Sequence, residues 1–231
     1  MTKFTGTASR SVLTSFLVFG MASGVVLAED LSKYRDFQLG TDLATITKQT
    51  GASPSQIKVV DRRPAFIQEL AWRPQSLGSS SKPDSVQEVI FTFYNGELFR
   101  IVVNYDRYET EGLTTGDIVG AISATYGMAA KPPALENTPL GPYGDLEEVL
   151  ARWQDSQFRL DLVRSSSRGS FTLIGVVKRL EGPAQAAILE AQRLDDQEAP
   201  QRDAARIASE EEAAKVKLEK ARLVNKPKFQ P

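Results

Sequence analysis

"VIFTFYNGELFRIVVNYD", residues 89–106, decides the fold. Two apolar runs rich in β-branched and aromatic residues flank Asn95-Gly96, a pair that tolerates positive φ and so favours a tight hairpin. A two-residue loop would set Phe91 opposite Arg100. A three-residue loop with Gly96 left-handed would set Val89, Phe91 and Phe93 beside Phe99, Ile101 and Val103. A one-residue slip moves every side chain to the other face of a strand, so the register that gives one continuous apolar face is predicted. The other face then carries Ile90, Thr92, Tyr94, Leu98, Arg100 and Val102. It is only half polar, and it is the candidate binding surface, open to cover by a loop, a helix or another molecule. Phe91, Phe93, Phe99, Tyr105, Trp72 and Trp153 lie at period-two spacing or at strand ends and read as core.

Upstream, residues 34–51 read as a helix capped by Thr41 or Asp42, with Leu43, Ile46 and Thr50 on one face and Gly51 closing it. "SQIKVVDRRP" is extended, "AFIQELAWRP" (65–74) is a strand, and "QSLGSSSKPDS" is a loop. Downstream, "LTTGDIVGAISATYG" (113–127) aligns with the first helix: Leu43 with Val119, Ile46 with Ile122, Gly51 with Gly127. A proline-rich loop follows, then the strand "DLEEVLARW" (145–153). "QFRLDLVR" and "SFTLIGVVKR" form a second hairpin across "SSSRG". The order repeats with a period of about 75 residues.

The expected class is α+β: two tandem helix–strand–hairpin units forming antiparallel sheet, then a helical tail. The predicted divisions are a signal peptide at 1–28, a first unit at 31–110, a second at 111–182 and a charged tail at 183–231. Gly182-Pro183 marks a break, and Pro200 splits the tail into two helices. Its apolar stripe, Ile207, Ala214, Leu218 and Ala221, is thin, so the tail from Pro183 is expected to project from the body. "NKPKFQP" is expected to be extended.

The 231 residues contain no histidine and no cysteine, with a net charge of −1. Serine or cysteine hydrolases that need a histidine base, histidine-ligated zinc and disulfide frameworks are thereby excluded. Lys3 and Arg10 precede the apolar run "SVLTSFLVFGMASGVVLA", which ends in Val26-Leu27-Ala28. This is the layout of a signal peptide cut before Glu29. The alternative is an uncleaved anchor. Removing 1–28 brings the net charge from −1 to −3. The expected location is periplasmic or secreted.

Asp106, Glu109 and Glu111 cluster after the hairpin, and Glu147 and Glu148 open a strand. Such carboxylates can do acid–base work only across a cleft of fixed width. Arg62 and Arg63, with Lys58 and Arg73 nearby, could present a fork to a phosphate or carboxylate, but neighbours in an extended chain point opposite ways. Lys215, Lys217, Lys220, Arg222, Lys226 and Lys228, against Glu219, make the chain end basic and suited to a protein or polyanion contact. No phosphate loop, calcium loop or dinucleotide fingerprint appears, and no cofactor, metal or catalytic residue is expected.

The tandem helix-plus-strand order and "FQLG…LATITKQTG" before the first strands resemble a group comprising small outer-membrane assembly lipoproteins and β-lactamase inhibitor proteins. The resemblance implies short helices packed on antiparallel strands, serving as a binding scaffold. This chain lacks the lipidated cysteine of the former and the disulfides of the latter, so neither function carries over. The sequence-level expectation is an exported, non-enzymatic binding or scaffold module of the bacterial envelope. Its partner would be an envelope protein met through the tail or the hairpin face, with no nucleic acid and no membrane span after signal cleavage. The binding residues would be Ile90, Tyr94, Leu98, Arg100, Val102, Arg62 and Arg63. The alternatives are a carboxylate-dependent hydrolase of cell-wall glycans and a small-ligand carrier.

Overall fold

In chain order the elements are β1 (Lys33–Tyr34), β2 (Phe37–Gln38), α1 (Leu43–Thr50), β3 (Ile57–Asp61), β4 (Ile67–Trp72), β5 (Val86–Tyr94), β6 (Glu97–Tyr105), α2 (Thr115–Tyr126), β7 (Asn137–Pro139), β8 (Leu146–Gln154), β9 (Phe158–Arg164), β10 (Phe171–Val177) and α3 (Lys178–Asn225). They belong to a computed structural model that describes residues 1–2, 30–74, 84–130, 137–139, 146–164, 170–228 and 230. Residues 3–29, which hold most of the expected signal peptide, most of the loops after β4 and α2, and the "SSSRG" turn lie outside the described residues. The chain is α+β. Eight strands form one antiparallel sheet in the order β3-β4-β5-β6-β10-β9-β8-β7. One helix precedes each group of four strands, and the groups join where β6 pairs with β10.

The hairpin differs from its predicted form in an instructive way. Its loop has two residues, with Asn95 and Gly96 both at positive φ, 51° and 86°, and Tyr94 paired with Glu97. The apolar register nevertheless holds further along: Val89 faces Val103 and Phe91 faces Ile101. A bulge reconciles the two, because Thr92 pairs with Arg100 and Phe93 with Leu98, leaving Phe99 as the extra residue. The bulge also turns Leu98 over. Leu98 is fully buried in the principal core, not on the second face where it was expected. Its N–H donates to the Thr41 carbonyl at 2.8 Å, and its carbonyl accepts from the Gly40 N–H at 2.8 Å. The segment before α1 thus continues the edge of β6 where β10 has ended.

The principal core lies between the first face of the sheet and the two short helices. Asp42 caps α1 by accepting the Thr45 N–H at 2.8 Å, and Gly51, at φ 66°, ends it. Thr114 and Asp117 form a reciprocal capping box at the start of α2. Ile46 on α1 and Ile118 and Ile122 on α2 point into the core. Phe37 from β2 stands edge-on to Phe91 at 4.7 Å and to Trp72 at 5.1 Å. Trp153 is buried, and its indole N–H reaches the Gly127 carbonyl at 2.9 Å.

The chain after β10 departs most from expectation. No break occurs at Gly182-Pro183 and none at Pro200: α3 starts at Lys178 and runs for 48 residues to Asn225. Pro183 is the sixth helical residue, so it removes one intrahelical bond, the one its N–H would make to the Arg179 carbonyl, and the helix continues through it as it does through Pro200. The tail does not project from Pro183. Leu180, Ala184, Ala187, Ile188 and Ala191 are buried, so α3 first lies on the body. Residues 226–228 coil into a short 3-10 turn instead of extending. No helix among the described residues is long and apolar enough to cross a membrane.

Candidate functional site

The second face of the sheet is where the sequence placed its candidate surface, and α3 lies across part of it. Ile188 and Ala187 pack on Ala65 and Ile67, with Val60 and Tyr94 alongside. Arg63, at the turn before β4, pairs with Glu198 farther along the helix. Arg179 pairs with Glu97 beside the hairpin turn. Thus α3 leaves β10, crosses the sheet beneath the hairpin end, and passes the outer strand β3.

Between sheet and helix lies a chain of charges. Asp161 on β9 is 1% exposed. Its carboxylate accepts from Arg152 at 2.5 and 3.1 Å and from Arg159 at 2.8 Å. Arg159 turns its other nitrogens to Glu181 in the first turn of α3, one of them at 2.8 Å. Strand pairing aligns Glu69, Thr92 and Arg100 in the same layer. Burial pushes the Arg100 guanidinium down to about 10, opposed by the carboxylates of Glu181 and Glu69. Burial also raises the Glu69 carboxyl above its usual range. Among the described residues, three arginines face three carboxylates in this layer, and Lys58 lies opposite Glu69 at its β3 edge with Asp61 nearby. Removing one member would leave a buried charge without its partner, which costs far more than the pairing contributes. The layer therefore fixes where the helix sits.

The sequence-derived binding residues separate accordingly. Val102 is buried with Val149, Val163, Ile174 and Val176, against which Ile90 packs. Tyr94 packs beneath α3, and Arg100 is 6% exposed within the charge layer. Leu98 belongs to the opposite face. Arg62 and Arg63 are exposed, but no fork forms, because Arg63 is held by Glu198. Arg73 bonds Glu88 at 3.1 Å. Among the carboxylates, Asp106 accepts the N–H groups of Tyr108 (2.8 Å) and Glu109 (3.2 Å) in its own turn. The charge layer was missed at the sequence level. The signal was the alternation Arg159, Leu160, Asp161, Leu162, which puts opposite charges on one strand face, but Arg152 joins them only once the β8–β9 register is known.

A second feature lies under α2, where a cavity of about 420 Å³ is lined by Tyr34, Tyr105, Tyr126, Ile118, Ile122 and Leu173 among others. Burial holds the Tyr105 phenol well above its ordinary range and raises Tyr34, to which it is hydrogen-bonded. Tyr126 donates to the Lys33 carbonyl at 2.9 Å. Arg35 at the rim is taken by both oxygens of Asp84, at 2.7 and 2.8 Å. Phenols around an apolar floor, with Arg35 and Glu109 also on the lining, suit a small ring-bearing molecule.

A third feature is the rest of α3. From Pro200 to Asn225 every residue is exposed. This arm is about 40 Å long at 1.5 Å per residue. Leu218 is 71% exposed and Ile207 49%.

No family model matches the chain, and no curated protein matches it. Among solved structures there is a match to a cysteine-rich secretory protein from Staphylococcus aureus subsp. aureus Mu50, with 8% identity and a TM-score of 0.28. The match covers 62% of this chain and 44% of that one, so the chain spans less than half the length of that protein.

Proposed function

We propose that this protein is an exported, non-enzymatic binding module of the bacterial envelope that holds a helical arm out from an α+β body to meet a protein partner. The observation that carries the reading is the fully exposed stretch from Pro200 to Asn225. Isolated helices are marginal in water, and helices in proteins owe most of their stability to packing, so an arm of this length is built to be covered. The body supports the reading: the hairpin's second face is buried, and among the described residues the arm presents Ile207, Val216, Leu218, Leu223 and Val224 to solvent. Signal-like residues 1–28 supply the export part of the proposal. The matched placement of Ile46 and Ile122, and of Gly51 and Gly127, supports reading the two units as copies of one ancestral unit. The scaffold role is the one implied by the resemblance to outer-membrane assembly lipoproteins and β-lactamase inhibitor proteins.

A photocrosslinking residue at Val216 or Leu223, on the side of the arm away from Ile207 and Leu218, tests the proposal in native envelopes. Capture of a defined envelope protein is expected, and recovery of the protein by itself alone would count against it. The cavity lined by Tyr34, Tyr105 and Tyr126 favours a second reading, a carrier of a small ring compound. Saturable quenching of tyrosine fluorescence by such a compound, lost in Leu173→Trp, would support that reading.

A further inference from the structure

Charge on the arm falls into two blocks. Residues 203–212 carry Asp203, Glu210, Glu211 and Glu212 against Arg206, a net of −3. Residues 215–222 carry Lys215, Lys217, Lys220 and Arg222 against Glu219, a net of +3. Some of these charges are satisfied locally. Arg206 bonds Glu210 at 2.9 Å, and Arg222 bonds Glu219 at 3.1 Å. Among the described residues, Glu211, Glu212, Lys215, Lys217 and Lys220 make no ion pair along their own helix.

At 100° per residue, Ile207, Ala214, Leu218 and Ala221 fall on one narrow face. Ala214 sits between the acidic block and the basic block. Two arms laid antiparallel about Ala214 would set Ile207 opposite Ala221, Ala214 opposite itself and Glu211 opposite Lys217. Each acidic block would lie along the basic block of the other copy, twice over. Alanines at the centre would let the backbones approach closely. A parallel pair would instead set −3 on −3 and +3 on +3. This register also sets Leu218 opposite Glu210 and Arg206 opposite Arg222, so it is the two blocks as wholes that match their own reverse, which is the symmetry of an isologous two-fold contact.

We propose that the arms of two copies pair antiparallel through the Ile207–Ala214–Leu218–Ala221 face, with the charge blocks setting the direction. This rests on the arm being the contact surface of the binding module, and it names one occupant of one face. The opposite face, with Val216 and Leu223, stays open for a different protein. The apolar stripe is thin, so the pairing is reversible in the micromolar range and weakened by salt.

Sedimentation equilibrium of the exported protein should show a monomer–dimer exchange that shifts toward monomer as sodium chloride rises. Glu210→Lys/Glu211→Lys/Glu212→Lys makes both blocks basic. Lys215→Glu/Lys217→Glu/Lys220→Glu makes both acidic. Each variant alone should self-associate roughly tenfold or more weakly than the parent, and an equimolar mixture should recover a heterodimer. All six positions are exposed, so each variant should melt as the parent does, and the melt separates lost pairing from lost folding. A parent chain that stays monomeric at high micromolar concentration overturns the proposal. So does either variant dimerising as tightly as the parent, or a mixture that fails to pair. A monomeric parent that still crosslinks an envelope protein from Val216 removes this proposal and leaves the binding-module reading intact.

Discussion

Ending the chain after Ala199 and ending it after Gly182 should have very different effects. Every described residue that the first cut removes is exposed, whereas the second cut strips the helix from the sheet. The loss in the second case can be worked from the burial. Ile188 is 1% exposed, and its burial contributes about 2 kcal/mol. Ala184, Ala187 and Ala191 bury a methyl group each, about 0.8 kcal/mol apiece. Ile67, now fully buried, loses its cover, for about another 1–2 kcal/mol. Forming helical backbone is close to break-even per residue, so side-chain burial decides the sum, about 5–6 kcal/mol. That is of the same order as the whole stability of a typical domain. At about 2–4 °C per kcal/mol for a chain of this size, the melting temperature should fall by on the order of 10–20 °C. Differential scanning calorimetry of both truncations beside the intact protein makes the comparison, with the Ala199 truncation expected within about 2 °C of the parent. Coincident melts for all three would refute the packing of α3 on the sheet. An equal fall for both truncations would refute the freedom of the arm.

Phe91→Ala, in the edge-on stack with Phe37, should cost about 3–5 kcal/mol by urea denaturation. Asp161→Ala leaves Arg152 and Arg159 facing each other without their shared carboxylate, and should destabilise by about 3–5 kcal/mol, with Asp161→Asn milder because it keeps an acceptor. The Asp84 carboxyl is held below its usual range chiefly by hydrogen bonds from Arg35. A depressed folded pKa stabilises above the unfolded pKa and loses that contribution as pH falls through the folded one. Asp84→Asn should therefore cost about 1 kcal/mol at neutral pH, a modest figure because the pair is partly exposed, and the gap to the parent should close as the solution is acidified through the carboxylate range.

Most of the body was legible because period-two alternation and turn residues are local signals. Val89, Phe91, Ile101 and Val103 announced their face, and Asp42, Gly51 and Gly127 announced helix ends. Leu98 was misplaced because its position depends on Gly40 and Thr41, more than 50 positions earlier, bonding the β6 edge and making room for a bulge at Phe99. The α3 boundary was misread for a different reason. Pro183 and Pro200 are local breakers, yet Lys178, Arg179 and Glu181 begin the helix early by bonding Gln154, Glu97 and Arg159, contacts a linear pattern does not carry. Arg100 had no local tell at all: a lone arginine in a strand reads as solvated until four other strands and a helix are assembled around it.

The junction of β6 with β10 has a consequence for the order of events as the chain is made. Val103 and Leu173 are partners across it, about 70 positions apart, and contacts of such long sequence separation are slow to form. Until β10 emerges, the first hairpin carries an open edge in the middle of what will become the sheet, the kind of edge that invites a foreign strand. Lys178 follows Val177 with no linker. The strand that closes the gap and the helix that covers it therefore arrive together, and the interval of exposure ends in a single step.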